Sequence, residues 1–294
     1  YLRYEESDPR NIDQNVETSR SAIENERYRI TVENNQITLL DKASGEVIEN
    51  ILSIENGGDA GDSYDYSPPV MDRIVSSMET GRFETRTQCG ESMQELTFDL
   101  EMKVPATLDE RVTGINTQTI HYQGSIRLFR GDAMIHCELS TMNQSIDTRY
   151  RLVFKTQRRS DQVLVDGYLS AQHKPVYLQK ELEVWEKEAW VEKPVSIETC
   201  QSYVMIEEDR RKAAIFTQGL KEYEVVDDRI YVTLYRSFSH LGKRNLVNRP
   251  GRPSGIEVET PGSQLIGQKF TFTFALRFDF GTLHPAQCAK TYVS

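Results

Sequence analysis

Residues 269–280 read Lys-Phe-Thr-Phe-Thr-Phe-Ala-Leu-Arg-Phe-Asp-Phe. Phe270, Phe272, Phe274, Leu276, Phe278 and Phe280 take one parity; Thr271, Thr273, Ala275, Arg277 and Asp279 take the other. Successive side chains of a strand point to opposite faces, so only a long strand gathers the apolar set on one face. A helix would scatter it around its axis. Such a strand needs a second layer to cover it, and the rest of the chain supplies candidates. Tyr28–Val32 and Gln36–Leu40 flank the turn formers Glu33-Asn34-Asn35 and read as a hairpin. Thr119–Leu128 and Ala133–Ser140 alternate around Gly131-Asp132. Arg149–Lys155, Val163–Leu169, Ser202–Ile206, Ala213–Thr217 and Ile230–Tyr235 are further short β-branched and aromatic runs. No segment shows three clear turns of helical periodicity. Gln179–Trp190 is helix-prone but fits a strand edge equally well. Without alternation of strands and helices, the pattern predicts an all-β fold, a large antiparallel β-sandwich.

Residues 1–22 are polar and lack an apolar stripe, which predicts a leader or linker ahead of one domain over residues 23–294. The chain opens on Tyr1 rather than Met, which suggests a piece of something longer. With 38% hydrophobic residues it can bury a core. Its 35 basic and 45 acidic residues give 35 − 45 = −10, the wrong sign for a nucleic-acid binder. No apolar run approaches the ~18 residues of a membrane span. Cys89, Cys137, Cys200 and Cys288 lie too far apart for a zinc site or a disulfide framework. They read as mostly buried thiols of a reducing compartment, so a cytoplasmic location is expected.

Three polar stretches exceed what turns require. Gly57–Pro69 (GGDAGDSYDYSPP) brings Asp62, Tyr64 and Asp65 beside flexible glycines. Carboxylates and a hydroxylated ring suit a polyhydroxylated ligand. Leu234–Gly255 carries Arg236, Arg249 and Arg252, whose forked guanidinium groups suit a carboxylate or sugar hydroxyls, or else ion pairs that tie the loop down. His240 in it reads as a hydrogen-bonded loop histidine. In Asn143–Arg151, Asp147 and Arg149 are candidates to pair with each other. Asp62 and Asp65 are three apart and are expected to face opposite ways, so they do not make the carboxylate pair of a glycosidase. No catalytic residue and no metal ligand is assigned.

In order along the chain, these segments resemble the C-terminal β region of bacterial glycoside hydrolase family 38 α-mannosidases, in the mannosylglycerate-hydrolase-like branch. The matching stretches are Ser21–Tyr28, Gly58–Pro69, the N-x-x-x-D-x-R-x-R pattern of Asn143–Arg151, and Gln201-Ser202-Tyr203-Val204. Gly219–Glu224, Leu234–Gly255 and Thr260–Gln264 continue the series. The resemblance implies a galactose-mutarotase-like supersandwich from a retaining, zinc-dependent α-mannosidase. It also implies that the nucleophile and the zinc ion belong to an absent N-terminal barrel and helical bundle, the partners on which this chain would pack. The chain itself would then hold no cofactor, complete a wall of the sugar site, and be inactive alone. Tyr64 matches a tyrosine that reaches the family's active site, and Arg236 stands where a site arginine is sought. Ser63 departs from the acidic residue usual before that tyrosine. Free-standing carbohydrate-binding or mutarotase-like modules are the alternative, with His121, His136 or His173 as a catalytic histidine.

Overall fold

The computed structural model describes residues 21–251, 253, 255–280 and 284–293. All but the last two residues of the expected leader lie outside this range. A small sheet comes first, in which β1 (Ala22–Glu24), β2 (Tyr28–Glu33), β3 (Gln36–Asp41) and β4 (Glu46–Ile48) pair in chain order. Then come β5 (Leu52–Gly58), β6 (Val75–Ser76), α1 (Ser77–Thr80), β7 (Gly81–Cys89), β8 (Met93–Val104), α2 (Leu108–Thr113), β9 (Gln118–Phe129) and β10 (Ile135–Met142). β11 (Thr148–Lys155), β12 (Gln162–Asp166), β13 (Ala171–Pro175), α3 (Gln179–Glu188) and β14 (Glu198–Thr199) follow. The chain continues through β15 (Tyr203–Glu208), β16 (Arg211–Gln218), β17 (Glu222–Val226), β18 (Arg229–Ser237), β19 (Lys269–Phe280) and α4 (Pro285–Val293).

Two large antiparallel sheets result. One runs β13-β12-β15-β16-β19-β10-β9-β8-β7, the other β14-β17-β18-β11-β5-β6. The phenylalanine strand sits near the middle of the first, between β16 and β10. Its apolar parity meets the second sheet: Phe278 meets Phe154 edge-on at 5.5 Å, and Phe270 stacks on Tyr235 at 4.5 Å. Leu96, Ile126, Leu152 and Val232 fill the same interior. Each such buried side chain contributes ~1.5–3 kcal/mol, so the alternation of β19 is a large part of why the layers hold together. This is the all-β sandwich that the sequence predicts.

Gln179–Glu188 is a helix, α3, rather than a strand edge. Leu182 and Trp185, three apart, are its half-buried residues, and its other residues are exposed. A one-sided contact of that spacing suits a helix lying on the surface. The strand expected at Val163–Leu169 stops at Asp166, because Gly167 N–H bonds the Ser170 carbonyl at 3.0 Å and closes a tight turn.

Candidate functional site

Strand pairing gathers three remote loops. Gly58, Thr148 and Ser237 lie abreast on β5, β11 and β18, as do Gly57, Arg149 and Arg236. The 57–69 loop, the turn before β11 and the long segment after β18 therefore leave the six-stranded sheet together. Asp59 N–H bonds the Asp147 carbonyl at 2.8 Å, fixing the first loop to the second.

Buried ion pairs then lock the first loop to the third. Asp59 is fully buried and faces Arg236, whose Nε lies 2.6 Å from Oδ2 and whose Nη2 lies 3.2 Å from Oδ1. Arg236 Nη2 also donates to the carbonyls of Asp62 (3.0 Å) and Asp65 (2.9 Å). Arg249, 2% exposed, donates from Nη2 to Asp62 Oδ2 at 2.6 Å and from Nε to Asp65 Oδ2 at 2.7 Å. Asp62 Oδ1 accepts from the N–H groups of Tyr64 and Asp65, both at 3.0 Å, and Oδ2 also from that of Lys243 at 2.8 Å. Burial pushes the Asp62 carboxyl up. The N–H groups of Lys243, Asp65 and Tyr64, together with Arg249, outweigh it and hold the carboxyl below its ordinary value. At Asp59 burial dominates and pushes the carboxyl up against the pull of Arg236.

The structure thus places Asp62, Arg236 and Arg249 in ion pairs within the chain, the second of the two roles weighed for the arginines. Asp62 and Asp65 do not face apart: both carboxylates converge on Arg249. Arg252 lies outside the described residues. Tyr64 remains outward at 56% exposure, with its ring against Gly255, where a Cβ would sit 3.0 Å from the hydroxyl. Tyr64, Asp65 and Tyr66 border a cleft of about 300 Å³ that Glu192, Asn248 and Glu222 help to close. Tyr66 packs beneath Arg149, whose guanidinium stands 4.3 Å from the ring centre. Asp147 and Arg149 do not pair: Asp147 is held by Gln264 at 2.8 Å, and Arg149 by Glu222 at 2.9 Å. His240 bonds Ser239 Oγ at 2.8 Å, as expected of a loop histidine. Sequence reasoning passed over Asp59 and Tyr66, though both stand in the stretch it singled out.

No protein-family model matches the chain. A curated protein of Halalkalibacterium halodurans named "Putative mannosylglycerate hydrolase" is 23% identical over 268 residues, which cover 85% of this chain and 28% of that protein. The solved structure of an α-mannosidase from Enterococcus faecalis superimposes with a TM-score of 0.76 at 23% identity, over 92% of this chain and 30% of its own. The chain shares its fold. A family 38 glycosyl hydrolase protein from the same organism gives 0.73 at 22% identity, over 92% and 31%. The resemblance to family 38 read from the motifs stands on these matches. This chain spans less than a third of the length of each of these relatives. Zinc is implied by that resemblance for the parent enzyme. Among the described residues, no group of three or more His, Cys, Asp and Glu side chains is placed to hold a metal ion.

A pH dependence follows from Asp62. Its folded-state pKa lies below the unfolded value of ~3.9, so its charge stabilises the fold fully above that value and loses effect as pH falls through the folded one. The stability gap between wild type and Asp62→Asn should therefore narrow on acidification from about pH 5 to about pH 2. Urea unfolding of both proteins across that range checks it. A gap that stays constant or widens contradicts the assignment.

Proposed function

We propose that this chain is the β portion of a family 38 enzyme that hydrolyses α-mannosides, and that its 57–69 loop forms part of the wall of the sugar site. Its role is non-catalytic: it positions Tyr64, while polypeptide outside the chain supplies the nucleophile, the general acid and the zinc ion. One observation carries the reading. Tyr64 is an exposed aromatic with a hydroxyl, set on a loop held by buried ion pairs rather than on a free one. A rigid base lets a hydroxyl meet a sugar without a further ordering cost. Beside that loop, Val70 (92% exposed), Met71 and Ile74 stand near Val112 and Ile115 of the α2 region, to which Arg73 and Asp72 tie them. An apolar patch of this kind suits contact with another domain, and the relatives' chains extend over about three times this length.

The test has two arms. The purified chain, given zinc and a chromogenic α-mannoside, should show no turnover. In the complete enzyme, Tyr64→Phe should lower kcat/KM about tenfold, the value of one hydrogen bond to substrate. Robust turnover by the chain alone that vanishes in Tyr64→Ala would place the catalytic centre here and sink the proposal.

A further inference from the structure

A larger cleft, about 750 Å³, lies on the opposite layer, across the outer face of the nine-stranded sheet. It falls within the ~300–1,000 Å³ of small-molecule sites and exceeds the cleft beside Tyr64. Strand alternation builds its floor. Leu100, Met102, Ile120 and Leu139 turn inward to the core, so their neighbours on β7 to β10 turn outward. In register, Arg82 stands opposite Glu101, and Glu101 opposite His121. A second row runs Glu84, Asp99, Gln123, Ser140 and Thr271 across the same strands. From β7 to β19 this spans four spacings of ~4.8 Å, about 19 Å in all and longer than one sugar ring needs.

Most of these groups are unused. Gln123 Nε2 donates to Asp99 Oδ1 at 3.0 Å, yet Arg82 forms no ion pair with the Glu101 opposite it. Glu84, His121 and Lys269 also have no side-chain partner among the described residues. Similar residues on neighbouring rows of this face do pair: Arg127 Nε lies 2.6 Å from Glu95. The cleft therefore offers donors and acceptors side by side. Its charge is nearly balanced, with Arg82 and Lys269 against Glu84, Asp99 and Glu101. That balance favours neither a polyanion nor a polycation, and Met142 is its one exposed large apolar side chain. A neutral ligand dense in hydroxyl groups meets all three conditions, because each hydroxyl both donates and accepts.

We propose that this face is a second, separate carbohydrate-binding groove, which takes a neutral oligosaccharide of two or three units. It uses none of the residues assigned above to the Tyr64 cleft and stands or falls independently of that reading. With hydrogen bonds as its main attraction, affinity near 1 mM is expected.

Amide-resolved NMR titration of the chain with α-mannotriose tests it. Shifts should concentrate at residues 82–84, 99–101 and 121–123, and Glu101→Gln and Arg82→Ala should each weaken binding at least about fivefold, roughly 1 kcal/mol. Tyr64→Ala should leave this binding unchanged. These positions are exposed, so the variants should fold, and one-dimensional spectra verify that. No shifts at about 20 mM sugar, about twenty times the expected dissociation constant, would overturn the proposal. So would binding that is lost in Tyr64→Ala and kept in Glu101→Gln, or tighter binding of a sulfated oligosaccharide than of the neutral one.

Discussion

Arg249→Leu is expected to lower the unfolding free energy by about 3–5 kcal/mol, the range for removing one partner of a buried ion pair. The reason is what it strands. Asp62 is fully buried, and Arg249 is the cation at 2.6 Å from its Oδ2, while Nε serves Asp65 as well. Leucine would leave the Asp62 charge with N–H partners alone, in a space water does not reach. Arg249→Lys should fall in between, since an ammonium keeps the charge but cannot serve two carboxylates with a planar fork. Pairing Arg249→Leu with Asp62→Asn should recover a large share of the loss, because no stranded charge remains. Chemical denaturation of the four proteins measures it. A loss below about 1 kcal/mol for Arg249→Leu would mean that the pair behaves as an exposed surface bridge.

The same pair shows where the sequence could and could not be read. Period-two alternation is local, and the phenylalanine-bearing face of Lys269–Phe280 came straight from it, as did the Tyr28–Leu40 hairpin. Helix α3 escaped because short amphipathic segments in which charges dominate fit two periods equally well. At the site, the loop and its residue types were legible, since glycines, acids and tyrosines in one stretch announce an irregular polar loop. Its wiring was not. Asp62 and Asp65 look divergent when spaced along a regular strand, but Asp62 folds back to cap its own loop and Arg249 reaches both from 184 or more residues away. Which arginine meets which acid is decided by the register of β5, β11 and β18, and no spacing in the sequence encodes it. Asp59 was missed for the same reason: its partner, Arg236, lies 177 residues on.

That wiring leaves no spare room inside the loop, so Gly61→Ala should disrupt it. A Cβ at Gly61 would lie 2.1 Å from the Asp65 carbonyl oxygen, 2.7 Å from Ser67 N and 2.8 Å from Asp59 Oδ1. Two of those three are main-chain atoms, and they are tied in place. Asp62 N–H bonds the Asp65 carbonyl at 3.0 Å, and Ala60 N–H bonds that of Ser67 at 2.8 Å. The methyl group therefore cannot be relieved by rotating a side chain; the loop must open. A loss of about 1–3 kcal/mol is expected, with the sheets intact by circular dichroism and the thermal midpoint lowered by several degrees. In the complete enzyme the activity should fall as far as in Tyr64→Ala, because an opened loop no longer holds Tyr64 against Gly255. Gly262→Ala is the control, since no atom lies within 4 Å of a Cβ there. Equal thermal midpoints for the two variants would mean that the loop yields easily, and a yielding loop could not hold Tyr64 in place for a substrate.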